Sequence, residues 1–182
     1  MTTIIVLLII AIIVALFIST YNNLVRTKNK AEEAEAGIDA HLKQRYDLIP
    51  NIVETVKGYA KHESATLEAV IKARNSAMNA TTTAEKDQAN NILSGTLKSL
   101  FALSESYPDL KANTNFLSLQ DKLTEIESEL LNARKYYNAI ARTFNDKVMV
   151  FPSSIIASMF HFEKLDYVKI EDAARENVKV SF

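Results

Sequence analysis

The three histidines are the residues of this sequence best suited to metal binding or proton transfer near neutral pH. Helical bundles that hold two metal ions place a glutamate three positions before a histidine on facing helices. No glutamate precedes His41, His62 or His161 at that spacing. We therefore interpret all three as ordinary surface or boundary residues, and we predict no metal site.

Other motifs of catalysis are missing from the sequence as well. It has no His-Glu-x-x-His, no glycine-rich phosphate loop, no Gly-x-Ser-x-Gly and no Asp-x-Asp calcium loop. The chain has only 3 glycines, and its lack of cysteine excludes disulfides, thiol catalysis and thiolate metal sites. We predict a protein that is not an enzyme, with no catalytic residues, no cofactor and no small-molecule substrate.

The two acidic clusters on the predicted helices are interpreted as solvated faces. Glu32 to Glu35 and Glu125 to Glu129 each carry three glutamates, whose alternative role is a docking strip for a basic partner. Arg134 to Asn138 mixes charge with aromatic rings, but a single basic pair makes no groove for nucleic acid. With 21 basic and 22 acidic residues, we predict no nucleic-acid partner.

The most apolar stretch of the chain runs from Ile4 to Ile18 without a charged side chain. Extended to Thr2 and Tyr21, it supplies the roughly 20 helical residues that cross a ~30 Å hydrocarbon layer. A cleavable signal peptide is the main alternative, and a buried core helix is another. No Lys or Arg precedes the stretch, and no small-x-small site follows it. We predict an uncleaved anchor over residues 1–21, with the lipid bilayer as a partner.

Basic residues follow the predicted anchor, with Arg26, Lys28 and Lys30 close behind it. Positive charge tends to remain on the cytosolic side of a membrane. The sequence therefore predicts a single-pass protein of the inner or plasma membrane, with its soluble domain in the cytosol and its amino terminus outside.

The remainder of the chain has the pattern of long helices, because it has so few glycines and prolines. Apolar residues keep one seven-residue phase from Ala31 to Tyr59. The buried stripe is expected to continue through Leu67, Val70, Ile71, Ala77 and Met78. We expect one rod of about 75 residues, near 110 Å if straight, with a kink at Pro50. The alternative is a true break with Asp47 as the next N-cap.

A loop from Asn79 to Thr83 ends this first helix, and Thr82 with Glu85 forms a capping-box pattern that starts a second. The second helix is expected to end near Ser106, before Pro108. The third has the most regular spacing, with Asn115 as its expected N-cap and these nine positions on its stripe: Phe116, Leu119, Leu123, Ile126, Leu130, Ala133, Tyr137, Ile140 and Phe144.

Phe151-Pro152 is expected to stop the third helix, and Ser153 to Phe160 predicts a short apolar helix. From Leu165 to Phe182 we expect irregular chain docked on the bundle, with an edge strand as the alternative. The fold class is therefore all-α: a transmembrane helix that continues into a long antiparallel bundle of three to four helices with coiled-coil-like packing, forming one domain over 22–182.

Several motifs along the chain resemble those of the bacterial LemA family. They are Tyr21 to Val25, Ile38-Asp39, Tyr46 to Asn51, Val56 to Glu63, Asn132 to Asn138, Phe151 to Ser153 and Ala173 to Phe182. The resemblance implies one amino-terminal transmembrane helix, a helical-bundle domain and no known enzymatic activity. It also implies an association with membrane metalloproteases and with envelope stress.

The functional prediction is a membrane-anchored, non-enzymatic helical scaffold that binds partner proteins and forms a homo-oligomer, with a role in envelope maintenance. The alternative function is a regulatory subunit or adaptor of a membrane metalloprotease. A third hypothesis, an enzyme with an unrecognised site, requires a polar pocket in which titratable groups converge.

Overall fold

A computed structural model describes residues 1–170 of the chain. All the regular secondary structure in that range is helical: α1 Thr2–Tyr59, α2 Ser64–Asn79, α3 Thr83–Ser104, α4 Pro108–Lys111, α5 Thr114–Met149 and α6 Ser153–Met159. The all-α prediction is confirmed, with the long amino-terminal helix packed against further helices in a bundle. The expectations for Ala173-Ala174 and for the alternating end at Phe182 lie outside the described residues.

The chain divides into two compact units. Unit 1 contains Met1–Gly37 and Ala133–Tyr167, and unit 2 contains Ile38–Asn132 and residues 168–170. Helices α1 and α5 therefore each contribute to both units. The division into an anchor of residues 1–21 and a bundle domain of 22–182 stays a prediction.

Helix α1 runs through Pro50 without a break, so the alternative of a new helix capped by Asp47 is wrong. The predicted rod to Met78 is also wrong, because α1 ends at Tyr59 and α2 begins at Ser64. The apolar phase continues into this turn, since Ala60 is fully buried. The N–H of Ala60 also keeps a helical hydrogen bond to the carbonyl of Val56, at 2.8 Å. A shared buried face is therefore no evidence of a continuous backbone.

In unit 2, α2 and α3 pack side by side through Leu67 and Val70 of α2 and Leu93, Leu97 and Leu100 of α3. The predicted capping box is confirmed at the start of α3. The backbone N–H of Glu85 donates to Thr82 Oγ1 at 3.2 Å, and the N–H of Thr82 donates to Glu85 Oε2 at 3.1 Å. Hydrogen bonds from the backbone of Thr82 and then of Thr81 hold the pKa of Glu85 below its usual value.

Helix α4 was not predicted, and it begins at Pro108. Proline ends the preceding helix and also suits the first turn of the next one, where its missing N–H costs nothing. The cap of α5 is also a correction: Asn113, and not Asn115, accepts the N–H of Phe116, at 2.9 Å. The stripe on α5 is confirmed, because all nine predicted positions are buried or partly buried.

The core of unit 1 consists of buried Leu24, Phe144, Ile156 and Ala157, with these partly buried residues around them: Phe17, Tyr21, Val148, Phe162 and Leu165. The short apolar helix is confirmed as α6, and irregular chain is confirmed from residue 163 to 170. This chain is fastened to α5 by Asn145, whose Nδ2 donates to the carbonyl of Leu165 at 2.9 Å and whose Oδ1 accepts the N–H of Leu165 at 2.8 Å.

Candidate functional site

The three histidines differ in their surroundings. His41 Nδ1 lies 3.3 Å from Glu129 Oε2, whereas His62 is exposed in the turn after α1 and His161 is exposed just after α6. Within residues 1–170, no three His, Asp or Glu side chains come together as a metal site. The predicted absence of metal and of catalysis stays a prediction.

The first acidic cluster is confirmed as solvated, because Glu32, Glu33 and Glu35 are exposed. The interpretation of the second is wrong at one position. Glu127 Oε1 lies 2.6 Å from Nη2 of Arg45, whose side chain is only 2% exposed. A carboxylate that looked like part of a solvated face therefore pairs with a buried guanidinium.

Arg45 is the centre of a buried polar cluster in unit 2 that joins α1, α3 and α5. Its Nη1 donates to Asn90 Oδ1 at 3.2 Å, and its Nη2 donates to Ser94 Oγ at 2.8 Å. Tyr46 OH also donates to Asn90 Oδ1, at 3.1 Å. Burial raises the pKa of Tyr46, although its hydrogen bond to Asn90 opposes the shift. These groups bind one another across three helices, so we interpret the cluster as structural.

The sequence contains one indication of this cluster, which is a charged residue at a position where the helix pattern is apolar. Arg45 occupies a position of the apolar seven-residue series of α1, where a charged residue is costly unless it is paired. Its partners Asn90, Ser94 and Glu127 all lie at least 45 residues further along the chain. Sequence spacing alone could not have identified them.

The predicted membrane span is exposed from its start to Leu16, and only its end, at Phe17 and Tyr21, packs against other residues. One helix in residues 1–170 is long and apolar enough to cross a membrane, and its most apolar window in α1 is 0% buried. Such a helix normally requires an apolar environment, which a bilayer supplies.

Aromatic rings join the end of the apolar stretch to the segment that follows α6. The ring of Phe160 lies 6.0 Å from that of Phe17 and 4.6 Å from that of Tyr21, between centroids. Around this junction, the end of α5, the loop after it and α6 expose large apolar side chains, here called the α6 surface: Met149, Val150, Phe151, Ile155, Met159 and Phe160. Through Phe160, the α6 surface contacts the end of the apolar stretch.

Unit 2 carries a groove of about 820 Å³ between α2 and α3, here called the α2–α3 groove. Ile71 and Ile92 line it and are 42% and 55% exposed. The predicted stripe is confirmed at Leu67, Val70 and Ala77, which α2 buries together with Ala73. It is wrong at Ile71 and Met78, which are exposed. The groove is rimmed by Glu68 and Lys72, one turn apart on α2.

Comparison with known proteins assigns the chain to a family. A sequence model of the LemA family matches residues 34–182. Protein LemA of Metamycoplasma hominis is 26% identical over 179 residues, which cover 96% of this chain and 80% of that protein. Magnetosome proteins MamQ 1 and MamQ 2 of Paramagnetospirillum magneticum are each 27% identical over 74 residues, which cover 41% of this chain and 27% of each relative. The family model covers most of the chain and confirms the resemblance of the motifs, and the chain therefore belongs to the LemA family.

Proposed function

We propose that the protein is a membrane-anchored helical scaffold without enzymatic activity, which acts by binding proteins at the membrane. The observation that carries the proposal is the apolar exterior of unit 1, where an unburied span and the α6 surface adjoin. The polar cluster around Arg45 supports the non-enzymatic half, because the guanidinium of Arg45 is engaged by the amide of Asn90 and the carboxylate of Glu127.

The α6 surface is proposed to rest in the interfacial layer of the same bilayer that the span crosses. Its continuity with the span supports this, since Phe160 packs directly on Phe17 and Tyr21. Aromatic side chains are favoured at that depth, and apolar surface gains free energy by leaving water.

The α2–α3 groove is proposed to bind a second copy of the same chain. An interface with two-fold symmetry requires a self-complementary surface. The groove meets this condition because Glu68 and Lys72 lie one turn apart on its rim. Lys72 of each copy can therefore pair with Glu68 of the other copy. The exposed side chains of Ile71 and Ile92 supply the apolar centre.

We expect light scattering of the full chain in mild detergent to give the mass of a dimer, and Ile71→Glu with Ile92→Glu to give the mass of a monomer. Two charges in the centre of the interface should weaken association at least about 30-fold. Leu117→Glu is the matched control, because Leu117 is an exposed apolar residue of unit 2 outside the groove. A monomer for the unmodified chain would refute self-association.

The protein is further proposed to lie with the residues after its span in the cytosol, because Arg26, Lys28 and Lys30 follow the span. The chain has no cysteine, so one introduced cysteine is a unique label. In intact cells, a membrane-impermeant maleimide should label Thr2→Cys and leave Ser106→Cys, in the exposed turn before α4, unlabelled until the cells are opened. The reverse pattern would place the units outside.

The adaptor of a membrane metalloprotease stays the alternative function. Recovery of a protease with the tagged full chain from gently solubilised membranes, and its loss in the variant with Ile71→Glu and Ile92→Glu, would favour the adaptor over the self-associating scaffold.

A further inference from the structure

Next to the end of the predicted span, unit 1 has an open cleft of about 560 Å³ with a polar and basic lining, here called the basic cleft. Arg26 and Lys30 come from α1, and Lys147 comes from the last turn of α5. The other described residues of the lining carry amide or hydroxyl groups, and none of them is acidic. The volume is within the range of small-ligand sites, and the cleft gathers three positive charges.

Neutral groups hold Lys147 in the basic cleft. Its Nζ donates to Asn23 Oδ1 at 2.6 Å and to Thr27 Oγ1 at 2.7 Å. Among residues 1–170, no ion pair joins Lys147, Lys30 or Arg26 to a carboxylate. Burial and then the nearby charge of Lys30 hold the pKa of Lys147 below its usual range. An anion in the cleft would offset the repulsion between these cations.

The basic cleft begins where the span ends. If residues 2–21 fill the hydrocarbon layer, Arg26 lies only about 7 Å beyond Tyr21 along the helix axis, within or next to the headgroup layer. Side chains lean toward the amino terminus of their helix, so that Arg26 and Lys30 reach back toward the bilayer. The depth of the cleft therefore matches the depth of lipid phosphates.

We propose that the basic cleft binds the phosphate group of an anionic phospholipid of the surrounding membrane, through Arg26, Lys30 and Lys147. The inference rests on the membrane anchoring proposed above. Lipid phosphate is favoured over a soluble phosphate compound because it is already concentrated at this depth. An anionic headgroup is favoured over a zwitterionic one because three cations repel the amine of the latter.

The chain has no tryptophan, so a single Leu16→Trp variant reports on one site. Leu16 is 62% exposed and lies one helical turn before Ser19, which lines the basic cleft, on the same face of α1. We would reconstitute this full chain in phosphatidylcholine vesicles and measure quenching of the tryptophan by brominated phosphatidylglycerol or by brominated phosphatidylcholine, each added as the same minor fraction. Brominated phosphatidylglycerol should quench the tryptophan several-fold more strongly than expected for a lipid that is distributed at random at the same fraction.

Substitution of the three cations distinguishes a specific binding site from a general attraction of anionic lipid by positive surface charge. Lys147→Met, and independently Arg26→Gln with Lys30→Gln, should each lower the preference for phosphatidylglycerol about fivefold or more. Lys28→Gln is the matched control, because Lys28 carries the same charge on the same part of α1 but lies outside the cleft and faces Glu32. Circular dichroism of each variant checks that it is folded.

Equal losses from Lys28→Gln and Lys147→Met would overturn the proposal in favour of a general surface potential. Displacement of the brominated lipid by millimolar glycerol 3-phosphate, but not by sodium chloride of equal ionic strength, would instead assign the basic cleft to a soluble phosphate compound. If neither brominated lipid quenched the tryptophan, the chain would not be inserted in the bilayer. That result would refute the proposed anchoring itself.

Discussion

Arginines in place of Ile10 and Ile13 are expected to let alkaline carbonate extract the protein from membranes, because the proposed span would no longer insert. Each arginine near the centre of a span costs about 2.5–3.5 kcal/mol, and each isoleucine that it replaces contributes roughly 0.5 kcal/mol. Together the two changes oppose insertion by about 6–8 kcal/mol, which is comparable with the whole favourable free energy of an apolar stretch of this length.

The control for this experiment is Ile10→Val with Ile13→Val, which keeps both positions apolar and should leave the chain in the carbonate-resistant pellet. Residual binding of the arginine variant to vesicles is expected, because the α6 surface remains intact. Retention of the arginine variant in the pellet would contradict the assignment of residues 2–21 as a span.

Glu127→Gln is expected to lower the free energy of unfolding by about 2 kcal/mol. Removing one partner of a buried ion pair costs roughly 3–5 kcal/mol, because the remaining charge is left in a poorly solvated place. Arg45 is in such a place, but the side chain of Glu127 is 40% exposed, so water and the amide of glutamine recover part of the loss. Urea unfolding of the full chain in detergent, followed by circular dichroism, measures the change.

Glu125→Gln provides the comparison on the same helix. Its carboxylate accepts a hydrogen bond from Lys122 Nζ at 2.7 Å, and both side chains of this pair are more than half exposed. Exposed pairs contribute about 0.2–1 kcal/mol, so this variant should unfold close to the parent. If the two variants lost the same stability, Glu127 would not be holding Arg45 in place.

Helices that repeat one face many times could be predicted from the sequence. The stripe from Phe116 to Phe144 identified α5, and Thr82 with Glu85 identified the start of α3 within a residue. These signals are local, because periodicity and capping depend on residues three or four apart. The same is true of the apolar stretch before Tyr21, whose character needs no tertiary contact.

Features that depend on distant residues could not be predicted. The burial of Arg45 is stable only because Asn90, Ser94 and Glu127 come from other helices. The turn at Ala60 escaped notice because its neighbours keep the apolar phase, and exposed Ile71 was assigned to the core because a stripe does not reveal how wide the buried face is. The basic cleft needs Lys147, which lies more than 100 residues from its acceptor Asn23.

If residues 2–21 span a membrane as proposed, the rings of Phe17 and Tyr21 also constrain how this helix can respond to the thickness of the bilayer. An isolated apolar helix adapts to a thinner or thicker bilayer by leaning. Here α1 has no glycine or proline before Gly37. A tilt of α1 relative to the rest of unit 1 would draw Tyr21 away from Phe160 and expose the core side chains around them to water. We therefore expect a mismatch in thickness to be accommodated by tilting of unit 1 as a whole, or by stretching or compression of the surrounding lipids.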